Sequence, residues 1–422
     1  MTQLTLLGED GALTRADLVE TSGFTRPTAG DGERALRSRV AYAAAHVVPV
    51  TWADNTPGQP AVVDWDATLA FRRNVYSWGL GVADAMDTAQ RNMGLDAAAT
   101  RELIARSAQV AREEGGSVVV GVNTDHVDAE VISLQEVIDA YTEQLHFTEE
   151  QGAGPVLMAS RHLARVAAGA DDYRRVYREV LQAATTPVVL HWLGTAFDPQ
   201  LEGYFTSTKP STGASTDWRA ASEVLLEIIA ENVDKVAGVK MSLLNAESEI
   251  SVRERLPESV RMFTGDDFNY VSLIGGSSVG DSGSPRSLSE ARSAETKRPD
   301  ARGYSDALLG AFAAITPVAS AAIQALDAGD PARYLEILAP TEVLSRQVFA
   351  APTFYYKTGV AFLAWLNGHQ AAFQMVGGLH SARSLPHLSR IVELANAAKA
   401  FEQPELAQQR WHGMLRLNGV EL

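Results

Sequence analysis

The residue in this chain whose type and setting point most directly to covalent chemistry is Lys240. It sits in the run VAGVKMSLL (236–244), where apolar neighbours would keep its side chain out of water. A free lysine has a pKa of about 10.4, so at neutral pH only about one in a thousand is the nucleophilic amine. Burial among apolar groups penalises the ammonium and can lower that value by several units, which makes imine formation with a ketone practical. Spacing alone also permits a plainer role, a strand-end lysine that reaches solvent or pairs with Asp266 or Asp267. The chain has no cysteine, which removes thiolate nucleophiles, disulfides and iron–sulfur ligation. An amine is then the best covalent candidate.

Other polar residues gather where short apolar runs end. These are His46 after the first run, Asp84, Asp87 and Thr88 at the second, and Asn123, Asp125 and His126 at the third. Ser160, Arg161 and His162 follow the fourth, His191 lies in the fifth, and Thr264, Asp266 and Asp267 end the seventh. Imidazole titrates near neutrality, so His191 and His162 are candidates for moving protons. Asp87, Thr88, Asn123, Asp125, His126, Arg161 and Asp266 are candidates for holding substrate. A different chemistry fits part of the same set: His46, Asp87, Asp125, His126, His162 and His191 could bind a divalent metal in a barrel isomerase or hydrolase. Against it, the first run carries no H-x-H pair and the chain has no H-E-x-x-H. The stretch GDSGSP (280–285) looks like a serine-nucleophile motif, but its hydrophilic setting lacks the context that chemistry needs.

The elements that must position these residues follow a repeating grammar. Eight apolar runs, at 40–50, 81–86, 117–123, 154–160, 186–193, 236–244, 260–265 and 308–315, alternate for the most part with stretches of helical period. That pattern predicts a (β/α)8 barrel, whose active sites lie at the carboxyl ends of its strands. A doubly wound open sheet is the alternative, but no glycine-rich phosphate turn follows the first run. Residues 1–38 read as an N-terminal extension with a hairpin around GEDG, 39–315 as the barrel with a long polar loop at 275–305, and 316–422 as C-terminal helices packed on it. The loop is either a lid over the barrel mouth or a flexible insertion. Trp65, Trp78, Trp365 and the aromatic run 354–365 read as core or subunit-interface anchors. A net charge of −16 disfavours nucleic acid and anionic membranes as partners, and no signal peptide or membrane-length apolar run is evident. A cytoplasmic enzyme is expected.

The motifs GVK (238–240) and TGDD (264–267) resemble those of the dihydrodipicolinate synthase and N-acetylneuraminate lyase family, as a divergent bacterial branch. The similarity runs in register over about 40–270 and 305–402, including the segment from Ser305 through Phe349 and the RSLP at 383–386. It implies a barrel with C-terminal helices, a Schiff base on Lys240 and no external cofactor or metal. It also implies a small keto substrate and a homo-oligomer, a dimer or tetramer. Two departures change the implied site. The family's G-T-T-G-E carboxylate pocket is replaced by Met86-Asp87-Thr88-Ala89-Gln90, in which only Thr88 keeps a hydroxyl. Its Y-Y-N-R-P segment, with a proton-relaying tyrosine, is replaced by Ser160-Arg161-His162-Leu163. The implied enzyme is a class I aldolase or hydro-lyase for a hydroxylated 2-oxo acid or keto-sugar derivative. In it His191 or His162 relays the proton, Arg161 binds an anion, and Asp87 and Asp125 accept from hydroxyls.

Overall fold

The structure is a computed structural model and describes residues 3–21, 23–28, 35–86, 94–208, 217–279 and 303–422. Strands β1 (Gln3–Leu7) and β2 (Leu13–Asp17) form an antiparallel hairpin. They are followed by β3 (Ala41–Ala44), β4 (Gly81–Asp84), β5 (Val118–Val122), β6 (Gly154–Met158), β7 (Val188–Leu193), β8 (Val236–Ser242), β9 (Arg261–Thr264) and β10 (Asp306–Leu309). These last eight close into a parallel barrel in the order β10-β3-β4-β5-β6-β7-β8-β9. Each is largely buried, as a strand must be when one face lines the lumen and the other meets a helix. The lumen is filled by a cluster of its own that includes Ala44, Ala83, Met158, Val189, Phe263 and Leu308. Register places Met158, His191, Lys240 and Phe263 side by side across β6, β7, β8 and β9.

The outer helices are α1 (Trp65–Ser77), α2 (Ala97–Glu114), α3 (Leu134–Glu150), α4 (Arg161–Val166), α5 (Ala170–Ala183), α6 (Trp218–Glu231), α7 (Ala246–Arg253) and α8 (Tyr270–Gly275). After β10 come α9 (Ala311–Ala314), α10 (Thr316–Asp327), α11 (Pro331–Val348), α12 (Lys357–Leu366), α13 (Leu385–Ala397) and α14 (Pro404–Leu417). Side-chain caps start most of the long ones: Asp64 for α1, Asp96 for α2, and for α3 a full capping box of Ser133 and Glu136. None of the helices among the described residues is long and apolar enough to cross a membrane.

The expected barrel is therefore present, with two shifts. The last strand lies at 306–309 rather than 308–315, and residues 311–314 instead form α9. Every residue from Asp306 to Ile315 is buried, so no periodicity separates strand from helix there. A fifth C-terminal helix, α14, follows the four expected; Pro404 starts it and Trp411 and Leu415 bury it. The hairpin is joined to these helices: Trp411 Nε1 donates to the Thr5 carbonyl at 2.7 Å, and Leu7 N–H donates to Ser389 Oγ at 2.7 Å. Of the long loop, residues 280–302 lie outside the described residues.

Candidate active site at the barrel mouth

Lys240 stands near the carboxyl end of β8 with only 8% of its surface exposed. Its path is set by what β9 lacks. A Cβ at Gly265 would lie 2.8 Å from Lys240 Cε and 2.1 Å from Ser242 Oγ, so any side chain there would collide with both. The glycine of TGDD is thus the clearance through which the lysine stem passes. Two residues further on, Asp267 is buried and its Oδ1 accepts the Ala311 N–H at 2.9 Å. Burial pushes this carboxyl up to about 7; the Asp266 charge adds to the rise, while the Ala311 bond and the ammoniums of Lys240 and Lys357 oppose it. A carboxyl poised there can both take and give a proton near neutrality. On the other flank of Lys240, His191 is its register partner on β7, and its Nε2 lies 3.1 Å from Ser242 Oγ. Ser242 follows Lys240 by two residues on the same face of the strand, the only signal in the sequence that marks it.

The other described candidates make their hydrogen bonds and ion pairs elsewhere. Thr124 Oγ1 lies 2.7 Å from Ser160 Oγ and 2.8 Å from His162 Nδ1, while His162 Nε2 lies 2.9 Å from the Ala129 carbonyl. A carbonyl only accepts, so Nε2 carries a proton, and in the neutral imidazole Nδ1 accepts from Thr124. Both nitrogens of His162 are thereby engaged. Arg161 Nε is 2.6 Å from Asp198 Oδ2, a half-buried ion pair. His126 faces α3, with Nδ1 3.0 Å from Gln144 Nε2 and Nε2 3.4 Å from Glu143 Oε2. Asn123 Oδ1 accepts the Asp125 N–H at 2.8 Å and closes the turn that carries both residues. Asp266 Oδ1 accepts the Phe268 N–H at 2.9 Å and Oδ2 accepts from Asn269 at 2.8 Å, so this carboxylate builds the turn that presents Asp267. Asp87 and Thr88 lie outside the described residues.

The proposed histidine cluster also separates. His46 Nε2 lies 2.7 Å from Gln370 Oε1, and burial pulls this imidazole down to about 3, so it is neutral throughout the physiological range. Asp84 is taken by Arg72 in a fully buried bidentate pair at 2.5 and 3.2 Å. Among the described residues no three histidine, aspartate or glutamate side chains converge as metal ligands would. One further cation arrives from outside the barrel sequence. Lys357, the first residue of α12, is fully buried and its Nζ donates to the carbonyl of Ala44, the last residue of β3. Its only mark in the sequence is a charge within the aromatic run 354–365, which reads as core.

A family model described as a protein of unknown function, DUF993, matches residues 4–420. The chain belongs to that family. No curated protein sequence matches this DUF993 member. Solved structures do. Dihydrodipicolinate synthase from Cyanidioschyzon merolae with lysine bound is similar with a TM-score of 0.58 at 14% identity, over 86% of this chain and 100% of that one. The synthase from Bacillus clausii gives 0.57 at 12% identity, over 86% and 98%. N-acetylneuraminate lyase from Fusobacterium nucleatum complexed with pyruvate gives 0.56 at 12% identity, over 85% and 97%. At such identities the likeness establishes the fold. The DUF993 member shares the (β/α)8 barrel of those enzymes, as its GVK and TGDD segments imply.

Proposed function

We propose that this protein is an imine-forming lyase, a class I aldolase or hydro-lyase, acting through Lys240 on a small hydroxylated keto compound. The observation that carries the reading is the clearance at Gly265, which lays a buried lysine between a histidine and a carboxyl that titrates near neutrality. The neutral amine of Lys240 adds to the substrate ketone, and the carbinolamine loses water to give an iminium ion. That cation accepts the electron pair released when a neighbouring C–C bond breaks, or when a proton leaves ahead of a β-hydroxyl. Asp267 protonates the departing hydroxyl of the carbinolamine. The His191–Ser242 pair, on the other flank, serves the carbon acid step and takes the place proposed for either His191 or His162. The iminium is itself the electron sink, so this chemistry calls for no cofactor. A 2-oxo acid or keto-sugar derivative is the substrate class, and we carry over a homo-oligomer in the cytoplasm from the family resemblance.

Borohydride reduction in the presence of pyruvate, dihydroxyacetone phosphate and hydroxylated 2-oxo acids tests the proposal. The expected result is a stable mass increase on the peptide that contains Lys240, absent from Lys240→Ala. The proposal fails if the wild type turns over a keto substrate, Lys240→Ala retains that turnover, and a chelator abolishes it.

A further inference from the structure

The similarity in register accounts for the barrel residues of the site but gives no part in it to the C-terminal helices. Yet those helices close over the mouth. Ser345 Oγ, on α11, donates to the Asp267 carbonyl at 2.6 Å. The rings of Phe349 and Tyr356 stack at 4.3 Å, and Phe197, from the segment after β7, meets the Tyr356 ring edge-on at 6.0 Å. Both stacked rings rest on Gly310 at the end of β10, where a Cβ would come within 2.8 Å of Tyr356 and 2.9 Å of Phe349. An aromatic roof therefore spans from the β7 side to β10, and the residue that leaves it is Lys357. Its ammonium reaches the Ala44 carbonyl at the end of β3 and acts on the charge of Asp267, as does that of Lys240. Asp267 thus feels one buried lysine from the barrel and one from the roof.

We propose that Lys357 is a specificity-determining residue of this site, anchoring an anionic group that the substrate carries beside its ketone. Burying an ammonium is costly, and a fold that carries one from its C-terminal helices to the end of β3, where it acts on the charge of Asp267, gains most if a ligand of opposite charge uses it. The geometry also supplies the orientation. Lys240 stands on β8 and Lys357 reaches the end of β3, and both act on the charge of Asp267, so a ketone held by the first presents its anion to the second. The aromatic roof limits the ligand to a small one and, by excluding water, strengthens the charge contact. Carboxylate and phosphate share this chemistry. The inference rests on the imine reading for the ketone but not for the anion.

The test separates the two. Lactate carries the carboxylate without a ketone and glycerol 3-phosphate the phosphate without a ketone; neither can form an imine. Thermal shift of the full chain with each probe is compared in wild type, Lys240→Ala, Lys357→Met and Lys357→Arg. The expected result is that one of the two anions raises the Tm of wild type and Lys240→Ala, that Lys357→Met loses the effect, and that Lys357→Arg recovers it. Which anion acts identifies the group. In parallel, borohydride trapping with pyruvate is set against neutral hydroxyacetone, and dihydroxyacetone phosphate against neutral dihydroxyacetone. Lys357→Met should raise the half-saturating concentration of the favoured anionic ketone by 10-fold or more relative to that of its neutral partner. If Lys357→Met responds to both anions as wild type does, or if neither anion shifts wild type, the Lys357 proposal is overturned whatever trapping shows. If anion binding follows Lys357 but no ketone is ever trapped, the imine reading fails and the anchor stands. Should Lys357→Met not fold, Lys357→Gln takes its place in every arm.

Discussion

On the β5–β6 side of the barrel mouth, Thr124, Ser160 and His162 hydrogen-bond to one another and to the backbone at Ala129. On the β7–β9 side, His191 and Lys240 lie side by side in register, and Asp267 is held just past β9. Both clusters are buried, both end strands, and both contain a histidine, yet they are built to different ends. The first is a relay in which every donor has its acceptor, and such a network fixes a turn rather than moving a proton. In the second, backbone space has been cleared by a glycine, and the carboxyl is held at a pKa where both of its forms exist. Burial and polarity do not tell the two apart. Where the hydrogen bonds end does.

Substitutions at matched positions can break this contrast, and the largest expected effect is at the nucleophile. Lys240→Ala should lower turnover on the order of 10⁴-fold or more, as losing a covalent nucleophile does, while the fold persists by circular dichroism. The paired histidines come next. His191→Ala should slow borohydride trapping and turnover by about 10²–10⁴-fold, the usual worth of a general acid–base, with a small change in stability. His162→Ala should do the reverse. It leaves Thr124 and the Ala129 carbonyl without their partner, which costs about 1–3 kcal/mol, and should leave the trapping rate of the remaining folded protein within a few-fold of wild type. Denaturant melts and trapping rates on the same two variants would sink the contrast if the effects were exchanged. Gly265→Ala should fall between them. Its Cβ forces Lys240 and Ser242 aside, with a packing cost of about 1–3 kcal/mol and a rate loss of about 10²-fold from misplacing the amine by ~1 Å.

The same contrast explains what could be read in the chain beforehand. The barrel was legible because parallel strands buried on both faces leave unbroken apolar runs, and eight of them recur between helical stretches. The last run misled because Gly310 and the Ala-Phe-Ala-Ala that follows it are as buried as the strand itself. Lys240 stood out because it interrupts the apolar run VAGVKMSLL, although a strand-end lysine paired with Asp266 or Asp267 fits the same run. Asp266 and Asp267 could not be separated in sequence, since one turn sends one carboxylate back to its own backbone and the next toward Lys240. His162 and His191 look alike as strand-end histidines until the Ala129 carbonyl is seen to accept from one of them. Lys357 showed only as a charge inside the aromatic run 354–365, which reads as core. Its place depends on α12 packing on α9, which brings its first residue to the Ala44 carbonyl at the end of β3.

The smallest effect concerns two carboxyls that titrate alike and differ only in where they sit. Burial pushes both Asp267 and Glu249 up to about 7; Glu249, on α7, hydrogen-bonds to Ser305 Oγ at 2.7 Å. In the unfolded chain such groups titrate at about 4. Between about pH 4 and 7 the native protein therefore binds protons that the unfolded chain does not. The stability these groups contribute is full below pH 4 and is lost as pH rises through 7. His46, pulled down to about 3, acts in the opposite sense below its ordinary value, but it is common to every variant compared and cancels. Asp267→Asn and Glu249→Gln should each make the stability profile flatter over that window by urea melts. Only Asp267→Asn should also remove the ionisation near 7 from the pH profile of borohydride trapping, because only Asp267 stands beside the amine. If Glu249→Gln altered the trapping profile as much as Asp267→Asn, the acid of the site would lie on the helix side of the barrel, and the division drawn between the two regions would be wrong.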